Sequence, residues 1–153
     1  MNPGDVAPDF VLPDDHGTPR TLSDFLASGP VALFFYPAAM TGGCTAETCH
    51  FRDLAAGFGA IGAHRVGISP DSVTKLRAFS AANAFDYPLL SDVDGKVARL
   101  FGVWRALLPS RAKRHTFVID DDHRIVEVIR NEHDFSVHGD RSLAVLRQRT
   151  AVA

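Results

Sequence analysis

Residues 29–51 of the chain read GPVALFFYPAAMTGGCTAETCHF. Six consecutive apolar residues, 31–36, stand between Pro30 and Pro37 and are rich in residues that favour strands, which predicts a central strand buried on both faces. Pro37 ends this strand and holds Tyr36 in an extended conformation. The residues that follow change to a helical pattern, so a buried strand followed by a helix organises the rest of the fold.

The predicted helix runs from about residue 43 to residue 58. Phe51, Leu54, Ala55 and Phe58 occupy the i, i+3, i+4 and i+7 positions of a buried helix face. Cys44 lies seven residues before Phe51 and therefore falls on the same face. The second cysteine of the segment, at position 49, falls outside it.

On both sides of this segment, the hydrophobic pattern predicts alternating strands and helices. The first thirty residues form an extended segment with a short capped turn at residues 22–25. The later elements are a strand at 65–69, a helix that begins at Ser69-Pro70-Asp71 and runs to about 84, a strand at 87–90, a helix at 94–101, two paired strands at 116–120 and 125–129, and a helix at 140–149. This order predicts one α/β domain over residues 1–153, with helices flanking a central mixed sheet. It places Cys44 at the carboxyl end of the central strand, where open α/β sheets carry their sites.

Composition excludes several classes of protein. The chain has 153 residues, 46% of them hydrophobic and 22% charged, with 16 basic and 18 acidic side chains. A formal net charge of −2 lacks the basic surface of a dedicated nucleic-acid-binding protein. The longest apolar stretch is about half of what a bilayer requires, and the first residues do not resemble a secretory signal. We therefore expect a cytoplasmic protein that binds neither nucleic acid nor membrane.

Cys44 and Cys49 are the two cysteines of the chain. A thiol in the first turn of a helix lies near unpaired backbone N–H groups and the positive end of the helix dipole, which favour the thiolate. In an intact helix the Cα atoms of residues five apart are roughly 8–9 Å from each other, and a disulfide tolerates at most about 7 Å. A bond between these cysteines therefore requires the helix to unwind between them.

Three groups of residues together resemble one known family. The spacing Pro37-x-x-x-Thr41-x-x-Cys44 is similar to the signature of peroxiredoxins. The second cysteine and the segment RHTFVID at 114–120 resemble the bacterioferritin-comigratory, or Q-type, branch of that family. GDVAPDFVLPDDHG at 4–17 and FDYPLLSDVDGKVARLFGV at 85–103 extend the resemblance over essentially the whole chain. The resemblance implies a thioredoxin-like fold.

The resemblance also implies roles for the residues around the first cysteine. Cys44 would be the peroxidatic cysteine, whose thiolate attacks the O–O bond of a peroxide and becomes a sulfenic acid. Thr41 would orient the peroxide through its hydroxyl group, and Pro37 would shield the sulfur from water. Arg114 would stabilise the thiolate and the charge that develops on the leaving oxygen.

Two further roles follow from the same resemblance. Glu47 would hold Arg114 in place. Cys49 would be the resolving cysteine, which condenses with the sulfenic acid to form an intrachain disulfide that a thioredoxin-like dithiol reopens. This chemistry requires no metal, haem or flavin. Trp104, Leu107 and Leu108 either cover the edge of the core or form a docking patch for the reductant.

We therefore expect a monomeric, thioredoxin-dependent thiol peroxidase that reduces hydrogen peroxide and small organic hydroperoxides in antioxidant defence. One alternative is a peroxide-sensing or holdase module that oxidises once and signals by local unfolding. Another is a metal-binding protein that uses both cysteines and a histidine, although His133 and His138 fall one residue outside the i, i+4 spacing of zinc ligands. Gly43, directly before the peroxidatic position, is expected to leave the start of the helix less constrained.

Overall fold

The computed structural model describes residues 1–105 and 112–152, so Leu107 and Leu108 lie outside the described residues. The elements in chain order are β1 Val11–Pro13, β2 Pro19–Thr21, α1 Leu22–Leu26, β3 Val31–Phe35, α2 Gly42–Asp53, α3 Ala55–Ala60, β4 His64–Ser69, α4 Val73–Asn83, β5 Leu89–Ser91, α5 Lys96–Leu100, β6 His115–Ile119, β7 Ile125–Arg130 and α6 Ser136–Val152. None of the helices described is both long and apolar enough to cross a membrane.

A five-stranded mixed sheet forms the centre of the molecule, in the order β5-β4-β3-β6-β7. Strand β3 pairs in parallel with β4 and antiparallel with β6, and β6 and β7 form the predicted antiparallel pair. All five residues of β3 are buried, as the apolar run predicted. The α/β class and the mixed sheet are therefore confirmed. A separate two-stranded hairpin, β1–β2, was not predicted.

Apolar side chains form a layer on each face of this sheet, and β3 contributes alternately to both. Leu33 and Phe35 face the layer that α1 and α5 complete. Phe34 and Tyr36 face the layer that contains Cys44 and the aromatic residues of α2 and α3. The alternation follows from the two-residue period of a strand. Cys44 therefore packs against the core of the protein.

The helix predicted over residues 43–58 is divided at Leu54 into α2 and α3. Phe51 and Phe58 are buried as expected, but the backbone between them bends because the Leu54 N–H bonds to the Phe51 carbonyl three residues back. The Arg65 guanidinium donates to the same carbonyl at 2.9 Å. This contact comes from strand β4, so the periodicity of the segment could not reveal it.

Two other helices begin at different places from those predicted. Helix α4 starts after Ser72, whose hydroxyl accepts a hydrogen bond from the Lys75 N–H, so the start predicted at Ser69-Pro70-Asp71 was wrong by about three residues. Helix α6 begins at Ser136 and continues through Gly139. A Cβ at Gly139 would lie 2.8 Å from a methyl carbon of Leu54 and 3.0 Å from the Cδ2 of His50, so this glycine allows α6 to approach the end of α2 closely.

Candidate active site

Cys44 is the third residue of α2, which follows β3 after a short loop. Thr41 is the N-cap, and the first bond of the helix runs from the Thr45 N–H to the Thr41 carbonyl at 2.9 Å. The N–H groups of residues 42–44 therefore precede the hydrogen-bond ladder of the helix. The side chain of Cys44 is completely buried. Its sulfur thus lies at the positive end of a twelve-residue helix.

Arg114 contacts this sulfur from the opposite side of the site. Its Nη2 donates to the Cys44 Sγ at 3.3 Å, and its Nη1 donates to the Glu47 Oε1 at 2.9 Å. The pairing of the strands explains why Arg114 reaches Cys44, because β3 and β6 are antiparallel and Phe35 pairs with His115. Arg114, just before β6, is therefore brought to the end of β3. The Phe135 ring covers the guanidinium at 4.6 Å.

Glu47 is a buried carboxyl with one oxygen paired and the other not. Its side chain is fully buried, and among the described residues its Oε2 has no hydrogen-bond partner. Burial raises the pKa of Glu47 to about 8, although Arg114 opposes this shift. The Nδ1 atom of His138 lies 3.7 Å from the free oxygen. The ion pair with Arg114 is therefore weakened by desolvation of the carboxylate.

His138 extends the site away from the sulfur, and sequence analysis assigned it no role. Its Nε2 donates to the Asn131 carbonyl at 2.7 Å, so in the neutral ring the Nδ1 accepts from the Thr116 hydroxyl at 2.7 Å. Burial lowers the pKa of His138 and keeps the ring neutral. Neither the spacing of the histidines nor their neighbours in the chain indicated this position.

The loop between β3 and α2 carries Pro37 and Thr41. Thr41 is exposed, and its hydroxyl donates to the Ala38 carbonyl at 2.8 Å instead of capping the helix, which leaves the oxygen able to accept a hydrogen bond. Pro37 is half-buried, two residues after the end of β3. Asp71, which sequence analysis placed in a helix start, accepts from the Ala39 N–H at 2.7 Å and thereby fixes this loop.

Gly43 has a packing role that the sequence did not show. A Cβ at this position would lie 2.7 Å from the Cζ of Phe135, closer than such atoms approach in proteins. The aromatic ring therefore rests on the glycine and on the Arg114 guanidinium together. The close contact depends on the absence of a side chain at position 43.

Cys49 lies away from this cluster. Its side chain is half-buried, and its Sγ donates to the Asn83 Oδ1 at 3.5 Å. Both cysteines are free thiols within the continuous helix α2. Helix geometry keeps their Cα atoms roughly 8–9 Å apart, so the structure is the reduced form in which they cannot bond.

The arrangement suits attack by sulfur on an electrophile. A guanidinium and a helix N-terminus both stabilise a thiolate and any negative charge that forms beside it. Within residues 1–105 and 112–152, no group of three or more histidine, cysteine, aspartate or glutamate side chains is arranged to hold a metal ion. The described residues thus offer no metal site around the two cysteines.

The chain is similar over most of its length to several known proteins. The model of the AhpC/TSA family matches residues 3–128. The crystal structure of Peroxidoxin BcpB from Mycobacterium tuberculosis superposes with a TM-score of 0.93 at 55% identity, covering 97% of each chain. Peroxiredoxin Q of Xanthomonas campestris gives a TM-score of 0.83 at 31% identity over 92% of this chain and 91% of its own. The chloroplastic peroxiredoxin Q of Sedum lineare is 38% identical over 94% of this chain and 77% of its own length.

Proposed function

The chain belongs to the AhpC/TSA family and is a peroxiredoxin of the Q type, a thiol peroxidase with two cysteines, and on this basis we propose how its residues divide the reaction. Cys44 is the peroxidatic cysteine and Cys49 the resolving cysteine. The contact that carries the assignment is the 3.3 Å hydrogen bond from the Arg114 Nη2 to the Cys44 Sγ. Cys49 has no comparable cation bonded to its sulfur among the described residues, where its hydrogen-bond partner is Asn83.

In the first step the Cys44 thiolate attacks one oxygen of the hydroperoxide. The S–O bond forms as the O–O bond breaks, and the leaving oxygen takes a proton and departs as water or an alcohol. Cys44 is oxidised to a sulfenic acid and the peroxide is reduced by two electrons. Arg114 stabilises the negative charge on the sulfur before the attack and on the leaving oxygen during it, and Glu47 holds the guanidinium in position.

The start of α2 supplies the groups that would bind the peroxide. The N–H groups of residues 43 and 44 point out of the first helical turn and can donate to a peroxide oxygen. The Thr41 hydroxyl already donates to a carbonyl, so its oxygen is available to accept the peroxide O–H. Pro37, half-buried beside the sulfur-bearing turn, limits the access of water.

In the second step the Cys49 thiol attacks the Cys44 sulfenic acid. A disulfide forms and one water molecule leaves. Because both residues belong to α2, this step requires the helix to unwind between them. A thioredoxin or a similar dithiol then reduces the disulfide, and the helix re-forms. The half-buried position of Cys49 allows it to leave the helix surface at modest cost.

The substrates that we propose are hydrogen peroxide and small organic hydroperoxides. The reductant is a thioredoxin-like dithiol, and the protein acts as a cytoplasmic monomer in antioxidant defence. The near-neutral net charge of −2 is consistent with a small uncharged substrate and with the absence of a nucleic-acid partner.

The decisive experiment counts thiols and turnovers. Reduced protein treated with hydrogen peroxide should lose two thiols per chain, form the Cys44–Cys49 disulfide, and oxidise NADPH continuously with thioredoxin and thioredoxin reductase. Cys44→Ser should consume no peroxide. Cys49→Ser should react once and retain a sulfenic acid that dimedone traps.

Two results would contradict the proposal. Peroxide consumption by Cys44→Ser at the parent rate would remove the assignment of the peroxidatic cysteine. Oxidation that occurs once and is never reversed by dithiol reductants would instead indicate the peroxide-sensing or holdase module.

A further inference from the structure

Residues 83–87 comprise the last residue of α4 and the segment that follows it, and they hold the part of α2 that lies around the second cysteine. The Tyr87 hydroxyl donates to the Thr48 carbonyl at 2.6 Å, in a buried contact. The Asn83 side chain accepts from the Cys49 Sγ at 3.5 Å, and the Asn83 carbonyl accepts from the Arg52 Nη1 at 2.8 Å. We call residues 83–87 the clasp.

Tyr87 is a rigid donor within the clasp. Its side chain is buried, the Phe85 ring stacks against it with centroids 5.4 Å apart, and the Arg65 guanidinium lies over it at 5.0 Å. The Thr48 carbonyl that it contacts belongs to the residue directly before Cys49. A carbonyl oxygen has two lone pairs, so it accepts this bond in addition to its place in the helix ladder.

The helix beyond Thr48 is fixed by stronger contacts. The Phe51 ring stacks on Phe34 with centroids 4.1 Å apart, and the Arg65 Nη1 donates to the Phe51 carbonyl. Arg65 is itself held by two hydrogen bonds to Asp86, of 3.0 and 2.8 Å. Unwinding between the two cysteines can therefore stop before Phe51. Two contacts of the clasp oppose it, those of Tyr87 with Thr48 and of Asn83 with Cys49.

We propose that Tyr87 is a positioning residue that sets the rate of disulfide formation by holding Thr48 in the wound helix after Cys44 has been oxidised. The inference rests on the proposed role of Cys49. While α2 stays wound, the Cys44 sulfenic acid can meet a second peroxide, which oxidises it to a sulfinic acid and is itself reduced to water or an alcohol. The Tyr87 hydroxyl therefore also determines how much enzyme is lost to this reaction at high peroxide concentrations.

The test is Tyr87→Phe, which removes one hydroxyl and keeps the ring. One hydrogen bond fewer on the wound helix should make disulfide formation about fivefold faster. The second-order rate constant of the first step with hydrogen peroxide should stay within about twofold of the parent. Stopped-flow fluorescence separates the two rates, and mass spectrometry should find less sulfinic acid after exposure to high peroxide.

The chain provides a matched control. Tyr36, its other tyrosine, is also buried, but among the described residues its hydroxyl has no hydrogen-bond partner. Tyr36→Phe should leave the rate of disulfide formation unchanged. Asn83→Ala tests the second contact independently and should accelerate the same step less, because a thiol is a weak donor.

The outcomes separate the two proposals. If the parent forms no Cys44–Cys49 disulfide, the proposed function fails at its own step. If the parent forms it and Tyr87→Phe forms it at the parent rate, the role of Tyr87 is overturned, whatever the rate of Asn83→Ala, and the proposed function stands. Equal acceleration of the first step and of disulfide formation in Tyr87→Phe would show a general loosening of the site, and would also overturn the inference.

Discussion

The two halves of helix α2 are held by different kinds of contact. In the first half, residues 42–47, the main contacts involve charged groups, because Arg114 donates hydrogen bonds to both the Cys44 sulfur and the Glu47 carboxyl. In the second half, residues 48–53, hydrogen bonds to main-chain carbonyls and aromatic stacking dominate, from Tyr87, Arg65 and Phe34. The first half thus controls the reactivity of the sulfur, and the second half controls whether the helix opens.

The first residue of the helix is packed less tightly than the residues that follow it. A Cβ at Gly42 would meet nothing within 4 Å, so the first residue of the helix has free space around it. Phe51, near the end, is fully buried. Cys44 and Glu47, later in the first half, are as fully buried as Phe51, so unwinding at Cys44 exposes side chains that the wound helix keeps from solvent.

Removing the aromatic anchor of the second half should have the largest effect. Phe51→Ala deletes a fully buried ring that stacks on Phe34, so the free energy of unfolding should fall by about 3–5 kcal/mol. Urea denaturation followed by circular dichroism measures the change. Leu54→Ala, at a half-buried position, is the matched control and should cost less. Equal losses of unfolding free energy in the two variants would show that Phe51 stabilises the protein no more than a half-buried residue does.

The next largest effect is expected in the first half. Arg114→Lys keeps a positive charge but loses the planar group that bonds the sulfur and the carboxylate together. The second-order rate constant with hydrogen peroxide should fall by about 10²-fold, the cost of removing one donor that stabilises transition-state charge. Stopped-flow kinetics measures the loss.

Arg141→Lys provides the comparison for this prediction. Arg141 is exposed and pairs with Glu127 on the surface, so its replacement should leave the rate constant unchanged. A parent-like rate in Arg114→Lys would show that positive charge alone suffices, and that the geometry of the guanidinium is not important.

The smallest expected effect, counted per pH unit, is on the pH dependence of stability. The pKa of Glu47 is about 8 in the folded protein and has an ordinary value of 4.5. The folded state therefore retains a proton that the unfolded state loses, and stability should decrease as the pH rises from 4.5 to 8, by up to about 1.4 kcal/mol per pH unit. Glu47→Gln does not titrate and should show a shallower slope.

The measurement should be made between pH 6.5 and 8. Burial lowers the pKa of His138, and it lowers the pKa of His115 to about 4. These two histidines therefore make stability increase with pH, and they do so mainly below pH 6.5. Urea midpoints at several pH values give the slopes. The control is Glu127→Gln, a substitution on the surface that should keep the slope of the parent protein. If Glu47→Gln also had the slope of the parent, the buried carboxyl would be ionised in both the folded and the unfolded state.

Local patterns predicted the framework of the fold. The buried strand β3 follows from a run of apolar residues, and the burial of Phe51 and Phe58 from their spacing on a helix. The mixed sheet follows from the order of strands and helices. Each of these signals lies within a short stretch of chain, so no knowledge of distant contacts was needed.

The contacts between distant segments could not be predicted in the same way. The Tyr87 hydroxyl reaches a carbonyl 39 residues away, and Asp71 accepts from an N–H 32 residues before it. Local chemistry even misled the prediction at Asp71, because a serine, a proline and an aspartate together are typical of a helix start. Resemblance to a family named Arg114 and Glu47 as partners, but it gave no indication of the Phe135 ring or of His138 beside them.

The contact between Gly43 and Phe135 has a consequence for how this sequence can change over evolutionary time. The Phe135 ring occupies the space that a side chain at position 43 would need, although 91 intervening residues separate the two positions along the chain. A larger residue at position 43 requires the half-buried ring at position 135 to move aside or to be replaced by a smaller side chain. The two positions are therefore coupled, and the effect of a substitution at one should depend on the residue at the other.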